Sequence, residues 1–181
     1  WSYDLGDEQL TASVSMSADG EYIALGTSGS NGDNVYLFNK DSSTPLWSYT
    51  TGGSVNSVSI SADGEYIAAV SSNNKVYLFG KNSSTPIWSY STSGETYSVA
   101  ISANGEYIAA GSNDDKVYLF NKDSSTPEWS YNTDGDVLAL DISQDGEYIF
   151  VGGTDDPEKV FLFDKDSSTP IWTYAPSDTH E

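Results

Sequence analysis

Carboxylates dominate the side chains that could do chemistry in this protein. Twenty-seven aspartates and glutamates oppose seven lysines, with one histidine and no cysteine, for a formal net charge of -20. Without a thiol there is no cysteine nucleophile, thiolate metal site or disulfide framework. The single histidine, His180, sits in a tail that has left the pattern of the rest of the chain. The many serines therefore lack a base within their own segments. Catalysis by paired carboxylates needs two groups in unlike environments, whereas these acids recur at equivalent turn positions. No glycine-rich phosphate loop precedes a helix. What remains is the binding of hard cations or basic partners. The segment Asn132-Thr133-Asp134-Gly135-Asp136 echoes a calcium loop, with alternate oxygen ligands around a glycine turn, but it lacks the distal glutamate of such loops. Asn132, Asp134 and Asp136 are thus candidate calcium ligands, and no other cofactor is expected. Asp33, Asp114, Asp115, Asp155, Asp156 and Glu158 are candidates for a binding face towards a cation or a basic protein. The plainer reading is that these are solvated turn residues whose charge keeps a repetitive β-protein soluble. The same charge repels phosphate backbones and anionic lipid, so neither nucleic acid nor a membrane is an expected partner.

These acids are positioned by a tandem repeat. The turn Asp-Gly-Glu-Tyr begins at Asp19, Asp63 and Asp145, with Asn-Gly-Glu-Tyr at Asn104. Ser-Ser-Thr-Pro ends at Pro45, Pro86, Pro127 and Pro170, and tryptophans stand at Trp1, Trp47, Trp88, Trp129 and Trp172. The period is about 41 residues, within the range of four-stranded propeller blades. In the third unit, 97–102, 107–112, 116–122 and 128–132 read as strands. Asn104-Gly105 forms a turn of the kind that needs positive φ. The runs Val117-Tyr118-Leu119-Phe120 and Tyr107-Ile108-Ala109-Ala110 are continuously apolar, so their strands should be covered on both faces. Blades packed face to face supply such cover.

Two segments carry a family resemblance. Val76-Tyr77-Leu78-Phe79 followed by Lys81 to Tyr90 resembles the tryptophan-docking repeat of quinoprotein-like propellers. Ser57 to Ala68 resembles the first half of a WD40 blade. The resemblance implies an all-β propeller of four four-stranded blades, at 5–50, 51–91, 92–132 and 133–175. Residues 1–4 would be a surplus outer strand and 176–181 a tail. It also implies that Trp47, Trp88, Trp129 and Trp172 dock one blade on the next. The chain departs from both families. Thr85-Pro86 replaces the usual Thr-Gly of a docking repeat, the WD40 Gly-His and Trp-Asp pairs are missing, and no arginine or cysteine pair suits a quinone.

In propellers of this kind the links from fourth to first strand and from second to third strand share one face. That face carries the length variation here: the second-to-third link is longer in blades one and four. It also carries most of the candidate acids. The expected function is a non-catalytic binding or structural module, not an enzyme. Five outer strands for four blades leave one surplus, so the chain is expected to assemble by strand exchange or ring completion as a homo-oligomer. The alternatives are a propeller enzyme or a cation or cofactor binder with its site on the acidic face, and an excised or engineered propeller fragment without a native function. The chain opens at Trp1 with neither an initiator methionine nor a signal sequence, which reads as processing or excision from something longer. The absence of thiols and an Asn82-Ser83-Ser84 glycosylation pattern suit a location outside the cell or on its surface.

Overall fold

Strong β formers alternate with Gly, Asn and Asp turns throughout the chain, and the backbone follows that pattern. A computed structural model describes residues 1–6, 9–29, 33–154 and 158–176. Its elements are sixteen strands in four antiparallel sheets, each a simple meander of four consecutive strands. Blade one holds β1 (Gln9–Met16), β2 (Tyr22–Gly29), β3 (Asn34–Asn39) and β4 (Trp47–Thr50). Blade two holds β5 (Val55–Ile60), β6 (Tyr66–Ser71), β7 (Lys75–Gly80) and β8 (Pro86–Ser91). Blade three holds β9 (Thr96–Ile101), β10 (Tyr107–Ser112), β11 (Lys116–Asn121) and β12 (Trp129–Asn132). Blade four holds β13 (Val137–Ile142), β14 (Tyr148–Gly153), β15 (Val160–Asp164) and β16 (Trp172–Tyr174). The expected all-β propeller of four four-stranded blades is therefore the fold.

Each first hairpin is closed by the same device. In blade one the Ser17 hydroxyl donates to Asp19 Oδ1 at 2.6 Å and accepts from the Tyr22 amide at 3.0 Å. Asp19 Oδ1 also accepts from the Glu21 amide at 2.9 Å. Ser61–Asp63, Ser102–Asn104 and Ser143–Asp145 repeat the arrangement. The glycine that follows takes positive φ each time, from 72° at Gly20 to 77° at Gly146.

The core lies between blades. Leu37, Val35 and Ala24 of blade one pack with Ile67, Val58 and Phe79 of blade two, and two further clusters join blades two to three and three to four. Full burial of each such aliphatic or phenyl side chain is worth about 1.5–3 kcal/mol. Cover by a sheet on both faces explains why β7 and β11 each bury four consecutive residues. β3 of blade one does so as well, with Trp1 and Tyr3 lying over Tyr36 and Phe38 on its outer side. Elsewhere in the outermost sheets burial falls: β15 buries only alternate residues, and β1 keeps no residue fully buried. Among the described residues each of those sheets has a neighbouring sheet on one face only.

Residues 1–4 were expected as an outer strand, and their backbone joins no ladder. A fourth strand pairs with the third strand of its own blade.

Candidate functional site

Adjacent blades meet through a fixed set of contacts. The first is the tryptophan of the fourth strand. Trp47 Nε1 donates to the Lys81 carbonyl at 2.8 Å, Trp88 to Lys122 at 2.8 Å and Trp129 to Lys165 at 2.7 Å. Each indole also lies 5.2–5.3 Å from a phenyl ring of the next blade: Phe79, Phe120 and Phe163 respectively. The indole thus buries a large apolar surface while its one donor is satisfied. Tyr49, Tyr90 and Tyr131, two residues on, stack edge-on against the same three rings.

The second contact pairs a tyrosine with a turn glycine. A Cβ at Gly64 would stand 2.5 Å from the Tyr22 ring, at Gly105 2.5 Å from Tyr66, and at Gly146 2.9 Å from Tyr107. The third contact is a relay of backbone bonds between the first hairpin turns. Ala18 N–H donates to Ala62 O, Ala62 to Ala103 and Ala103 to Gln144, all at 2.9 Å. Inner strands add a fourth: the Val58 and Ile60 amides donate to the Ser13 and Ser15 hydroxyls at 3.1 and 3.3 Å.

Lysines decorate the same seams. Lys81 pairs with Glu65 and lies 4.9 Å from the Tyr22 ring centre in the blade before. Lys122 reaches Asp123 at 2.9 Å and Glu106 at 3.4 Å, and Lys165 reaches Asp166 and Glu147 at the same distances. The carboxylate partners hold these ammonium groups above their ordinary pKa, the neighbouring Asp123 and Asp166 foremost. The pairs are largely exposed, so they position the loop more than they stabilise the fold.

Trp1 is placed as if it belonged to this series. Its Nε1 donates to the Lys40 carbonyl at 2.6 Å, and its ring stacks 5.8 Å from Phe38. Tyr3 lies edge-on to Phe38 at 5.2 Å, as Tyr49 does to Phe79. A shallow cavity of about 220 Å³ opens beside them, lined by Leu5, Val14, Ile23 and Leu25 among others. Both end tryptophans stay exposed, Trp1 at 66 % and Trp172 at 43 %, against 9 % for Trp88.

In blades one and three the second-to-third link lies beside the end of the fourth strand. Thr51 and Thr133, just after a fourth strand, each donate through both amide and hydroxyl to the second-to-third link, at the Asp33 and Asp115 carbonyls. Their candidate carboxylates do not converge. Asp33 Oδ1 accepts from the Gly29 amide at 2.8 Å, bracing its own loop. Asp114 Oδ2 accepts from the Tyr118 hydroxyl at 2.6 Å and the Ser93 amide at 2.9 Å. Burial and this carboxylate push the Tyr118 phenol well above its ordinary value. Asp115 takes a left-handed turn at φ 63°, and Glu158 is exposed. Asn132 Oδ1 caps the Asp134 amide at 2.7 Å, and the Asp134 carboxylate lies 4.0 Å from Lys159. Asp136 accepts at its backbone carbonyl from the Thr154 amide. Among the described residues no group of three or more His, Asp and Glu side chains is arranged to hold a metal. Asp155, Asp156 and His180 lie outside the described residues.

The sequence does not mark the seam acceptors, because a carbonyl carries no side-chain signature. The repeat does carry a spacing: Lys81, Lys122 and Lys165 each follow a recurring aromatic strand and stand 34, 34 and 36 residues beyond their tryptophans.

Comparisons agree with this architecture. No curated protein matches the chain. Among solved structures 1671 chains match, and so widespread a fold says little about function. One of them, in a structure titled as the crystal structure of the mitotic checkpoint complex, superposes with a TM-score of 0.81 at 18 % identity. The match covers 95 % of this chain and 55 % of that one. At that identity the likeness is one of fold alone, and the chain spans about half the neighbour's length. Residues 1–144 match the repeat family described as outer membrane protein assembly factor BamB. The chain belongs to that family of β-propeller repeat proteins.

Proposed function

We propose that this chain is a non-catalytic propeller module that binds protein through its blade faces, a second copy of itself included. One observation carries the reading. Val14 and Met16 on β1 are 64 % and 60 % exposed, whereas Val58 and Ile60, their equivalents on β5, are 5 % and 7 % exposed. Among the described residues no blade packs against that face of β1. Tyr148 and Phe150, whose counterparts Tyr107 and Ala109 pack against a next blade, are likewise exposed on blade four. Apolar faces of this extent mark interaction surfaces. The neighbour of like fold, whose title names a complex, is in keeping with the reading. The cysteine-free, acidic composition supports a location outside the cell or on its surface.

The test is sedimentation velocity over a wide concentration range, with Val14→Asp as control. Val14 is exposed, so the substitution leaves the fold intact and places a charge in any contact made there. The wild-type chain should associate with increasing concentration and V14D should not. A wild-type chain that stays monomeric at every concentration refutes the proposal.

A further inference from the structure

Four links join a third strand to a fourth, and three of them share one turn. In blades one, three and four the link opens Lys-Asp-Ser-Ser, at Lys40, Lys122 and Lys165. The aspartate reaches the lysine before it at 2.9 Å each time. Its amide donates to a side-chain oxygen two residues back: Asp41 to Asn39 and Asp123 to Asn121 at 3.0 Å, and Asp166 to Asp164 at 2.9 Å. Each of these turns is thus closed both by an ion pair and by a cap.

Blade two departs at both positions. Gly80 stands where the capping side chain would be, and Asn82 replaces the aspartate. Lys81 is left with Glu65 as its carboxylate partner. The Asn82 side chain is exposed, and among the described residues neither it nor the Ser84 hydroxyl makes a hydrogen bond. The replacement completes Asn82-Ser83-Ser84, the one Asn-x-Ser/Thr triplet in the sequence and the acceptor pattern for an N-linked sugar. The two groups that pattern requires, the asparagine amide and the hydroxyl two residues on, are both unengaged. A cavity of about 260 Å³ opens beside them, lined by Tyr66, Lys81, Thr85 and Ile87 among others. Ile87 is 52 % exposed there, so the apolar face of a sugar ring has a side chain to rest on. The neighbouring Lys81 carbonyl is held by Trp47, and a group on the exposed Asn82 side chain leaves that seam whole.

We infer that Asn82 is the acceptor of an N-linked glycan, taken from a lipid-linked oligosaccharide. This rests on the location outside the cell or on its surface proposed above, and it names a modification that goes with it. In the transfer Asn82 Nδ2 forms a bond to the anomeric carbon of the first sugar. The bond from that carbon to the lipid phosphate oxygen breaks, the polyprenyl phosphate or diphosphate leaves with the electron pair, and the amide gives up one proton. Nothing is oxidised or reduced. The other three links keep an aspartate at this place and cannot take the sugar, so the repeat carries it on one blade only.

The test has two arms. In the first, the folded chain is incubated with an oligosaccharyl transferase and a lipid-linked oligosaccharide, and its peptides are mapped by mass spectrometry. The peptide holding Asn82 should gain the mass of the glycan, and peptide:N-glycosidase should remove it and leave aspartate. Ser84→Ala should lose the product entirely while the chain stays folded, and Ser84→Thr should keep it. Asp123→Asn, which writes the same triplet into a turn still capped by Asn121, should take less. In the second arm the chain is isolated from its own cells and mapped in the same way, and it should be found exported and carrying the glycan. No transfer to Asn82, or transfer that S84A retains, overturns the inference. Equal transfer to D123N overturns the part given to the open turn. A chain that is exported with Asn82 bare overturns the glycan and leaves the location standing. A chain retained inside the cell removes the location and the glycan together.

Discussion

Gly105→Ala separates two demands that the repeat makes on one residue. The first is conformational. Gly105 sits at φ +73°, where a side chain costs about 1–2 kcal/mol. The second is steric: the new Cβ would stand 2.5 Å from Tyr66 Cδ2, in a ring wedged between blades. Overpacking of this kind costs about 1–3 kcal/mol. The sum is about 2–5 kcal/mol, a large part of the stability of a domain this size. Gly20→Ala is the matched control, because its φ of +72° is the same and its Cβ meets no ring. It should cost about 1–2 kcal/mol alone. Gly64→Ala should behave as G105A does. Urea unfolding followed by tryptophan fluorescence measures all three, with the slope m unchanged. In a Tyr66→Ala background the cost of G105A should fall to that of G20A, since the ring that it strikes is gone. If G20A costs as much as G105A, the tyrosine–glycine contact sets nothing.

Two other outcomes follow from the same seams. Trp88→Ala should cost about 3–5 kcal/mol in urea unfolding, because a buried indole is lost and the Lys122 carbonyl is orphaned. Trp172→Ala, with the same residue type at the equivalent position, should cost about 1 kcal/mol, its main partner being Phe150 at 6.1 Å. The hairpin caps predict a pH effect. Hydrogen bonds from Ser143 and the Glu147 amide hold Asp145 below its ordinary pKa. A depressed carboxylate contributes stability that is present above its unfolded pKa and lost as pH falls through the folded one. Asp145→Asn copies the Asn104 of blade three, whose side-chain oxygen makes the same two bonds. It should therefore keep the turn while reducing the loss of melting temperature between about pH 6 and about pH 3. An unchanged loss would show that the cap does not depend on charge.

Most of the fold was legible because each blade states its pattern locally. Val117 to Phe120 reads as a strand covered on both faces, and β11 buries those four residues. The Asn104-Gly105 turn asks for positive φ and adopts it. The docking tryptophans were visible by type and period. Their acceptors were not, because hydrogen bonding by the Lys81 or Lys122 carbonyl depends on where the next blade lies. The chemistry of the acidic loops was not legible. Asp33 and Asp114 are adjacent to turns in sequence, and only the folded loops show their carboxylates turned towards backbone amides.

The two outermost sheets depart from period because burial in a propeller is a property of neighbours. The sequence of β1 alternates Val14 and Met16 much as β5 alternates Val58 and Ile60, yet the residues of one strand are exposed and those of the other buried. No propensity distinguishes them. What does is whether another sheet supplies the opposing tryptophan, tyrosine and turn amide. The same three contacts recur at the three seams among the described residues, so burial along each strand follows the contacts that its blade makes with the next, and the indole, the tyrosine and the turn amide of one blade are read only together with the carbonyl, the glycine and the turn carbonyl of its neighbour.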